Sequence, residues 1–242
     1  MRKRGVSWFS VTDHDTVRAY ESLDAPGQHL IPGIEINTTW GPGDVHVLGY
    51  NVPTGPSPLA DVLEDNRKHR RTRITRIVAA LNAAGYPITE AEVLSEGEGG
   101  HALGRPHVAK ALVRRGMVRD VKAAFDTLLG EGQPAYTPSY HITPLEAIAH
   151  IRESGGVPVL AHPGRLKDES VIDTLIEGGI AGIEVFYPKH ENDQIARYRA
   201  IAKRANLVMT AGSDFHDPRY NPRGVGMDVD EVDVRPFLDL VG

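Results

Sequence analysis

PLEAIAHIRESGGVPVLAHPGR, residues 144–165, decides how the chain is read. Pro144 to Ser154 reads as a helix, with proline in its first turn and Gly155-Gly156 as its stop. Val157 to Ala161 is a short apolar run and reads as a buried strand. His162-Pro163-Gly164-Arg165 follows at once, so an imidazole sits at the strand's C-terminal end. Helix and strand go on alternating downstream, with no internal repeat. Glu169 to Glu177 reads as a helix ended by Gly178-Gly179, and Ile180 to Phe186 as a strand containing Glu184. Glu191 to Ala205 reads as a helix, and Leu207 to Ala211 as a strand running into Gly212-Ser213-Asp214-Phe215-His216. Strands separated by helices of this length imply parallel pairing, in an α/β barrel or an open sheet.

Upstream, Val6 to Val11, Leu30 to Ile36 and Val45 to Tyr50 read as three more strands. Thr12-Asp13-His14-Asp15 follows the first, Glu35 lies in the second and His46 in the third. Asn51 to Pro58, with Pro53, Gly55, Pro56 and Pro58, has the composition of a linker. Beyond it the pattern is helical to Leu129. Ile74, Ile77, Val78 and Leu81 form one stripe, and Thr89 with Glu92 forms a capping box. Pro106 stands where a first helical residue belongs and Gly116 where that helix should stop. The expected division is a βα core, residues 1–56 and 136–242, with a helical insert at 57–135. Arg67, Lys68, Arg70, Arg71, Arg73 and Arg76 make one helix strongly basic. It is either a solvated face or a local surface that attracts phosphate.

Composition removes whole classes of chemistry. The 242 residues carry a net charge of −5, which excludes a basic nucleic-acid coat as the main source of affinity. No apolar run approaches the roughly 20 residues of a membrane-spanning helix, and no partner membrane is expected. The N-terminal residues lack a signal-peptide core and cleavage site, so a cytoplasmic location is expected. With no cysteine, a metal site must draw on His, Asp and Glu, and 11 histidines are available.

In a parallel βα barrel, functional groups collect at the C-terminal ends of the strands. His14, Glu35, His46, His162, Asp214 and His216 fall on five segments aimed at one such rim. Neutral imidazole mixed with carboxylate suits Mn²⁺, Fe²⁺ or Zn²⁺ better than Ca²⁺ or Mg²⁺. Glu35 in an apolar strand is costly as a carboxylate unless a cation or donor offsets it. Glu35 or Asp214 could bridge two ions. His29, His69, His101, His141 and His150 lack this placement and read as loop or helix-surface residues. His190, just after Tyr187-Pro188, could line the rim.

The segments around His14, Pro32-Gly33-Ile34-Glu35, His46-Val47-Leu48-Gly49-Tyr50, Ala161-His162-Pro163-Gly164 and Gly212 to His216 resemble the PHP (polymerase and histidinol phosphatase) family in order and spacing. The resemblance covers nearly the whole chain. The insert, with Gly104-Arg105-Pro106-His107, is similar to the subgroup that acts on nucleotides. Members of that subgroup remove the 3′-phosphate of nucleoside 3′,5′-bisphosphates and trim short RNA from its 5′ end. The resemblance implies a distorted seven-stranded βα barrel holding up to three divalent ions, with Mn²⁺ the first choice. Glu35, His46 and His162 would hold one ion, and His14 and His216 would contribute to a second. Asp214, with Glu35 bridging, would contribute to a third.

The expected reaction is hydrolysis of a phosphate ester of a nucleotide or short RNA end, with no stable duplex-DNA binding. Arg105 and Arg165 are candidate phosphate clamps, because guanidinium pairs bidentately with phosphate. His107 could assist them, and Tyr187 or His190 could protonate the leaving group. Two other readings stay open. One is an amidohydrolase-like C–N hydrolase; the other is an impaired barrel that only binds metal or a phosphorylated ligand. The family begins with a His-x-His strand, and no histidine precedes His14. The first βα unit is therefore expected to be missing. A lost strand would leave Val6 to Val11 with an unpaired edge, which favours a start assigned at an internal methionine.

Overall fold

The computed structural model describes residues 5–41, 43–97, 103–138, 142–216, 221 and 223–242. In chain order the elements are β1 (Trp8–Phe9), β2 (His29–Leu30), β3 (Gly33–Trp40), β4 (Gly43–Tyr50), α1 (Pro58–Ala83), α2 (Glu90–Leu94) and α3 (Arg105–Arg114). There follow α4 (Val121–Ala124), which runs into a π-helical turn (Phe125–Leu129), then α5 (Pro144–Glu153), β5 (Val157–Leu160), α6 (Val171–Glu177) and β6 (Gly182–Phe186). The chain closes with α7 (Asn192–Ala205), β7 (Val208–Ala211) and α8 (Glu231–Val241). The fold is mixed α/β.

The alternation of helix and strand gives β5, β6 and β7 in parallel, as expected, with α6 and α7 as crossovers. The expectation of parallel pairing fails for β3 and β4. Only positions 41 and 42 separate them, and a parallel crossover needs about a dozen residues. They form an antiparallel hairpin whose turn uses Gly41 at φ +53°. β4 also pairs antiparallel with β5. The expected single strand Leu30 to Ile36 is broken at Pro32, which has no N–H to donate. Leu30 belongs to β2, paired in parallel with β1, and Glu35 belongs to β3.

Among the described residues the strands form a five-stranded sheet, β3-β4-β5-β6-β7, and a separate pair, β1-β2. A bridge between His14 and Glu35 ties the segment after β1 to β3. There the Glu35 N–H donates to Asp13 (3.1 Å) and the Asp15 N–H to Glu35 (2.9 Å). The β3-β4 and β4-β5 pairings correct the expectation of parallel pairing throughout.

Alternation along β3 sends Ile34 and Ile36 into the main core with Ile148, Ile151, Ile183 and Val185, and turns Glu35 and Asn37 to the opposite face. The stripe Ile74, Ile77, Val78 and Leu81 is buried as expected, in a second apolar cluster with Val108, Leu112 and Leu129. Each such side chain contributes about 1.5–3 kcal/mol when fully buried. Leu59 and Leu63 belong to the main core, so α1 reaches from one cluster to the other. Its N-cap is Ser57, and the Thr89–Glu92 capping box forms at α2. Gly104, not Arg105, caps α3, and Pro106 is its second residue. No helix among the described residues is long and apolar enough to cross a membrane.

Candidate metal centre

Glu35 is the hub. Its carboxylate is almost fully buried, and three imidazoles point at it. His46 Nδ1 lies 2.6 Å from Oε1, His162 Nε2 3.1 Å from Oε1, and His14 Nδ1 3.6 Å from Oε2. No lysine or arginine pairs with Glu35 among the described residues. The rings of His216, His14, His46, His162 and Tyr187 follow one another at centroid separations of 5.6, 5.3, 5.1 and 5.6 Å. Donor atoms of His14, Glu35 and His46 all lie within 4.8 Å of one another, close enough to share an ion. His46 is near the start of β4 because that strand runs antiparallel to β5, which brings its beginning to the end of β5. There the Ala161 N–H donates to the His46 carbonyl (3.1 Å).

Protonation states match a cation site. Burial opposes ionisation of Glu35. Even so, the charges of His14 and His46 and hydrogen bonds from His162 and His46 hold its carboxyl well below the usual range. Burial drives His14 down to about 4, against the pull of Glu35, so its imidazole is neutral at pH 7. An ionised carboxylate beside neutral imidazole is the donor set that a divalent transition metal takes.

Asp214 forms a second centre. It accepts from Tyr187 Oη (3.0 Å) and Arg165 Nη1 (3.2 Å), and His216 Nδ1 is 3.2 Å from its other oxygen. Its carboxyl lies below its ordinary value: burial acts upward, but the His216 hydrogen bond prevails. Hydrogen bonding to Asp214 raises His216 to about 9. His162 (φ 26°), Asp214 (φ 44°) and Asp15 (φ 52°) all occupy the left-handed region, which residues other than glycine seldom adopt.

Groups that the sequence reading had not placed in the site hold these loops. Glu184 Oε2 accepts the His162 N–H at 2.8 Å, and burial raises its carboxyl to about 7. A Cβ on Gly212 would fall 1.9 Å from Glu184 Oε1, which explains that glycine. Asp15 is fully buried. It accepts from the Asn37 N–H (3.1 Å), Asn37 Nδ2 (3.2 Å), Asn66 Nδ2 (3.3 Å) and Arg70 Nε (2.7 Å). Asn37 Nδ2 is also 2.9 Å from His14 Nδ1, so the network reaches the site. The available signal was Asn66 and Arg70 continuing the inward stripe of Leu59 and Leu63. The basic helix is therefore not one solvated face: Lys68, Arg71 and Arg76 are exposed, whereas Arg70 is nearly buried.

The other expected site residues have definite places. Arg105 Nη2 lies 3.9 Å from Asp44. His107 Nδ1 accepts the Gly104 N–H at 3.1 Å, at the start of α3. His190 Nδ1 donates to the Val185 carbonyl (2.9 Å) and its Nε2 accepts the Gly164 N–H (3.2 Å), so the ring ties the loop after β5 to β6. His29 stacks on Trp8, and His150 faces Glu153 on α5. His69 is exposed on α1. His101 and His141 lie outside the described residues.

No family model matches the chain. Curated relatives do. A 3′,5′-nucleoside bisphosphate phosphatase of Chromobacterium violaceum is 31% identical over 233 residues, covering 92% of this chain and 81% of the relative. The 5′-3′ exoribonuclease Rnm of Escherichia coli is 30% identical over 226 residues, covering 88% and 76%. A Bifidobacterium adolescentis crystal structure assigned as a metal-dependent phosphoesterase matches with a TM-score of 0.86 at 31% identity, over 100% of this chain and 88% of that one. A Chromobacterium violaceum structure described as an amidohydrolase with bound sulfate matches at 0.87 with 28% identity, over 99% and 87%.

Proposed function

Because this chain belongs to the PHP family of metal-dependent phosphoesterases, we propose that it hydrolyses the 3′-phosphate of nucleoside 3′,5′-bisphosphates and trims short RNA from its 5′ end. The observation that carries the reading is the buried Glu35 carboxylate ringed by His14, His46 and His162. Glu35, His46 and His162 would hold one divalent ion, His14 and His216 would contribute to a second, and Asp214 with Glu35 to a third; Mn²⁺ is the proposed metal. Bound there, such ions lower the pKa of water toward neutrality and neutralise charge on phosphoryl oxygens.

The chain's own groups do the rest. Arg165 already pairs with Asp214 at the rim and can present its remaining donors to a phosphate oxygen. Tyr187 is kept protonated by burial and by Asp214, so it acts there as a hydrogen-bond donor. His190 is assigned to holding Gly164, because both its nitrogens are engaged. Residues 57–135 are taken as an insert that brings Arg105 and His107 toward the barrel, and a cytoplasmic location suits a nucleotide substrate.

The test is phosphate release from adenosine 3′,5′-bisphosphate by chelated protein reloaded with Mn²⁺. Metal-dependent release that leaves the 5′-monophosphate is expected, and His162→Ala should lower it by about a thousandfold. No release with any divalent metal, or full activity in the variant, overturns the reading. Cleavage of C–N substrates in place of phosphate esters would favour the amidohydrolase alternative.

A further inference from the structure

Where β5 ends, a side chain takes over its ladder. Successive N–H groups of a strand point to opposite neighbours. The Ala161 N–H goes to β4, to the His46 carbonyl (3.1 Å), so the His162 N–H faces β6. Backbone pairing of β5 with β6 has by then stopped, at Leu160 and Ile183. His162 turns away at φ 26° and ψ 61°, and Pro163 after it disfavours the right-handed helical conformation there. The His162 N–H donates to Glu184 Oε2 (2.8 Å), so a β6 side chain stands where a β6 carbonyl would otherwise accept.

Glu184 is built into this place. It is almost fully buried, and its strand bulges between Glu184 and Phe186. The Gly212 N–H donates to the Phe186 carbonyl (3.0 Å), and Oε1 of Glu184 fills the space that a Gly212 Cβ would need. No lysine or arginine pairs with Glu184 among the described residues, so no ion pair accounts for a carboxylate buried here. The rest of the loop after β5 is held without it. The Gly164 N–H donates to His190 Nε2 (3.2 Å), and the Arg165 N–H to the His162 carbonyl (3.0 Å). In that loop Glu184 thus grips one residue, the one whose Nε2 lies 3.1 Å from Glu35 Oε1.

We infer that Glu184 is a positioning residue of the metal centre: its carboxylate replaces a strand carbonyl, fixes the left-handed turn at His162 and so aims that imidazole at Glu35. What it supplies is reach rather than charge. The inference rests on the metal-dependent phosphoesterase reading and deepens it. The loops after β5 and β7 share one brace, because Oε1 also sits against Gly212, two residues before Asp214.

The experiment separates reach from charge with Glu184→Gln, Glu184→Asp and Glu184→Leu. Glutamine keeps an acceptor at the same distance and loses the charge. Aspartate keeps the charge and shortens the arm by one C–C bond, about 1.5 Å. Mn²⁺ titration of chelated protein by calorimetry should show affinity weakened about 10–100-fold in Leu and Asp, and less than about threefold in Gln. Hydrogen exchange of the His162 amide, followed by NMR, should be slow in wild type and Gln and faster in Asp and Leu. A role in packing alone would lower the melting temperature and leave Mn²⁺ affinity of the folded protein unchanged. Should Leu fail to fold, Asp against Gln decides. Equal losses in Gln and Asp, unchanged affinity in Asp, or a wild type that binds no Mn²⁺ overturns the inference. Mn²⁺ affinity that follows the Glu184 variants, with no phosphate release by wild type, would sink the hydrolase reading and leave the brace standing.

Discussion

Glu35 and Asp214 are both carboxylates at the rim of the sheet, and their surroundings differ in kind. Glu35 sits inside β3 and faces imidazoles alone, which can each offer a lone pair in the neutral form. Asp214 sits in the turn after β7 and accepts from a phenol and a guanidinium, with His216 at its other oxygen. The first setting suits a bound cation, since no Lys or Arg charge competes for the carboxylate. The second keeps a carboxylate ionised by protein donors already in place and leaves an arginine at the edge. The two are coupled through His14, whose ring lies between those of His46 and His216.

The largest effect should come from testing that contrast directly. Glu35→Gln should empty the centre, with metal content by mass spectrometry falling to near zero and turnover down by about a thousandfold or more. Asp214→Asn should remove part of the metal and lower turnover by about 10–100-fold, because Arg165, Tyr187 and His216 can still hold the loop. Equal losses in the two variants would show that the centres are one. Gly212→Ala probes the packing that joins them. Its methyl group would collide with Glu184, which holds the His162 N–H, so a loss of about 1–3 kcal/mol is expected in chemical denaturation, with weaker metal binding. An unchanged melting curve would mean that Glu184 moves freely. The smallest effect belongs to Tyr187→Phe, which deletes one hydrogen bond to Asp214: about 1 kcal/mol and a change in kcat of at most about fivefold. A larger drop in kcat, with KM unchanged, would place the hydroxyl at the reacting atoms.

Much of this was legible in one dimension, and the exceptions have identifiable causes. His162 follows a four-residue buried strand and Asp214 a four-residue strand buried at its middle, so their convergence could be read from the βα alternation. The antiparallel hairpin could have been read from the short link between Trp40 and Gly43, which admits no crossover. Asp15 was visible beside His14, but its partners Asn66 and Arg70 lie 51 and 55 residues away, on a helix whose basic run resembled a solvated face. His190 shows the reverse case. Its position near the rim suggested chemistry, and its two hydrogen bonds give it a supporting role.

The chain by itself determined which side chains can chelate, which apolar stripes must be buried, and where helices begin and stop. These follow from residue type and from the 2.0 and 3.6 residue periods of strand and helix. Tertiary structure alone decided that three imidazoles share one carboxylate, that Asp15 ties α1 to His14, and that Glu184 holds the His162 N–H. Such meetings depend on strand register and helix docking, which are set by packing over the whole core and leave no periodic mark on the chain.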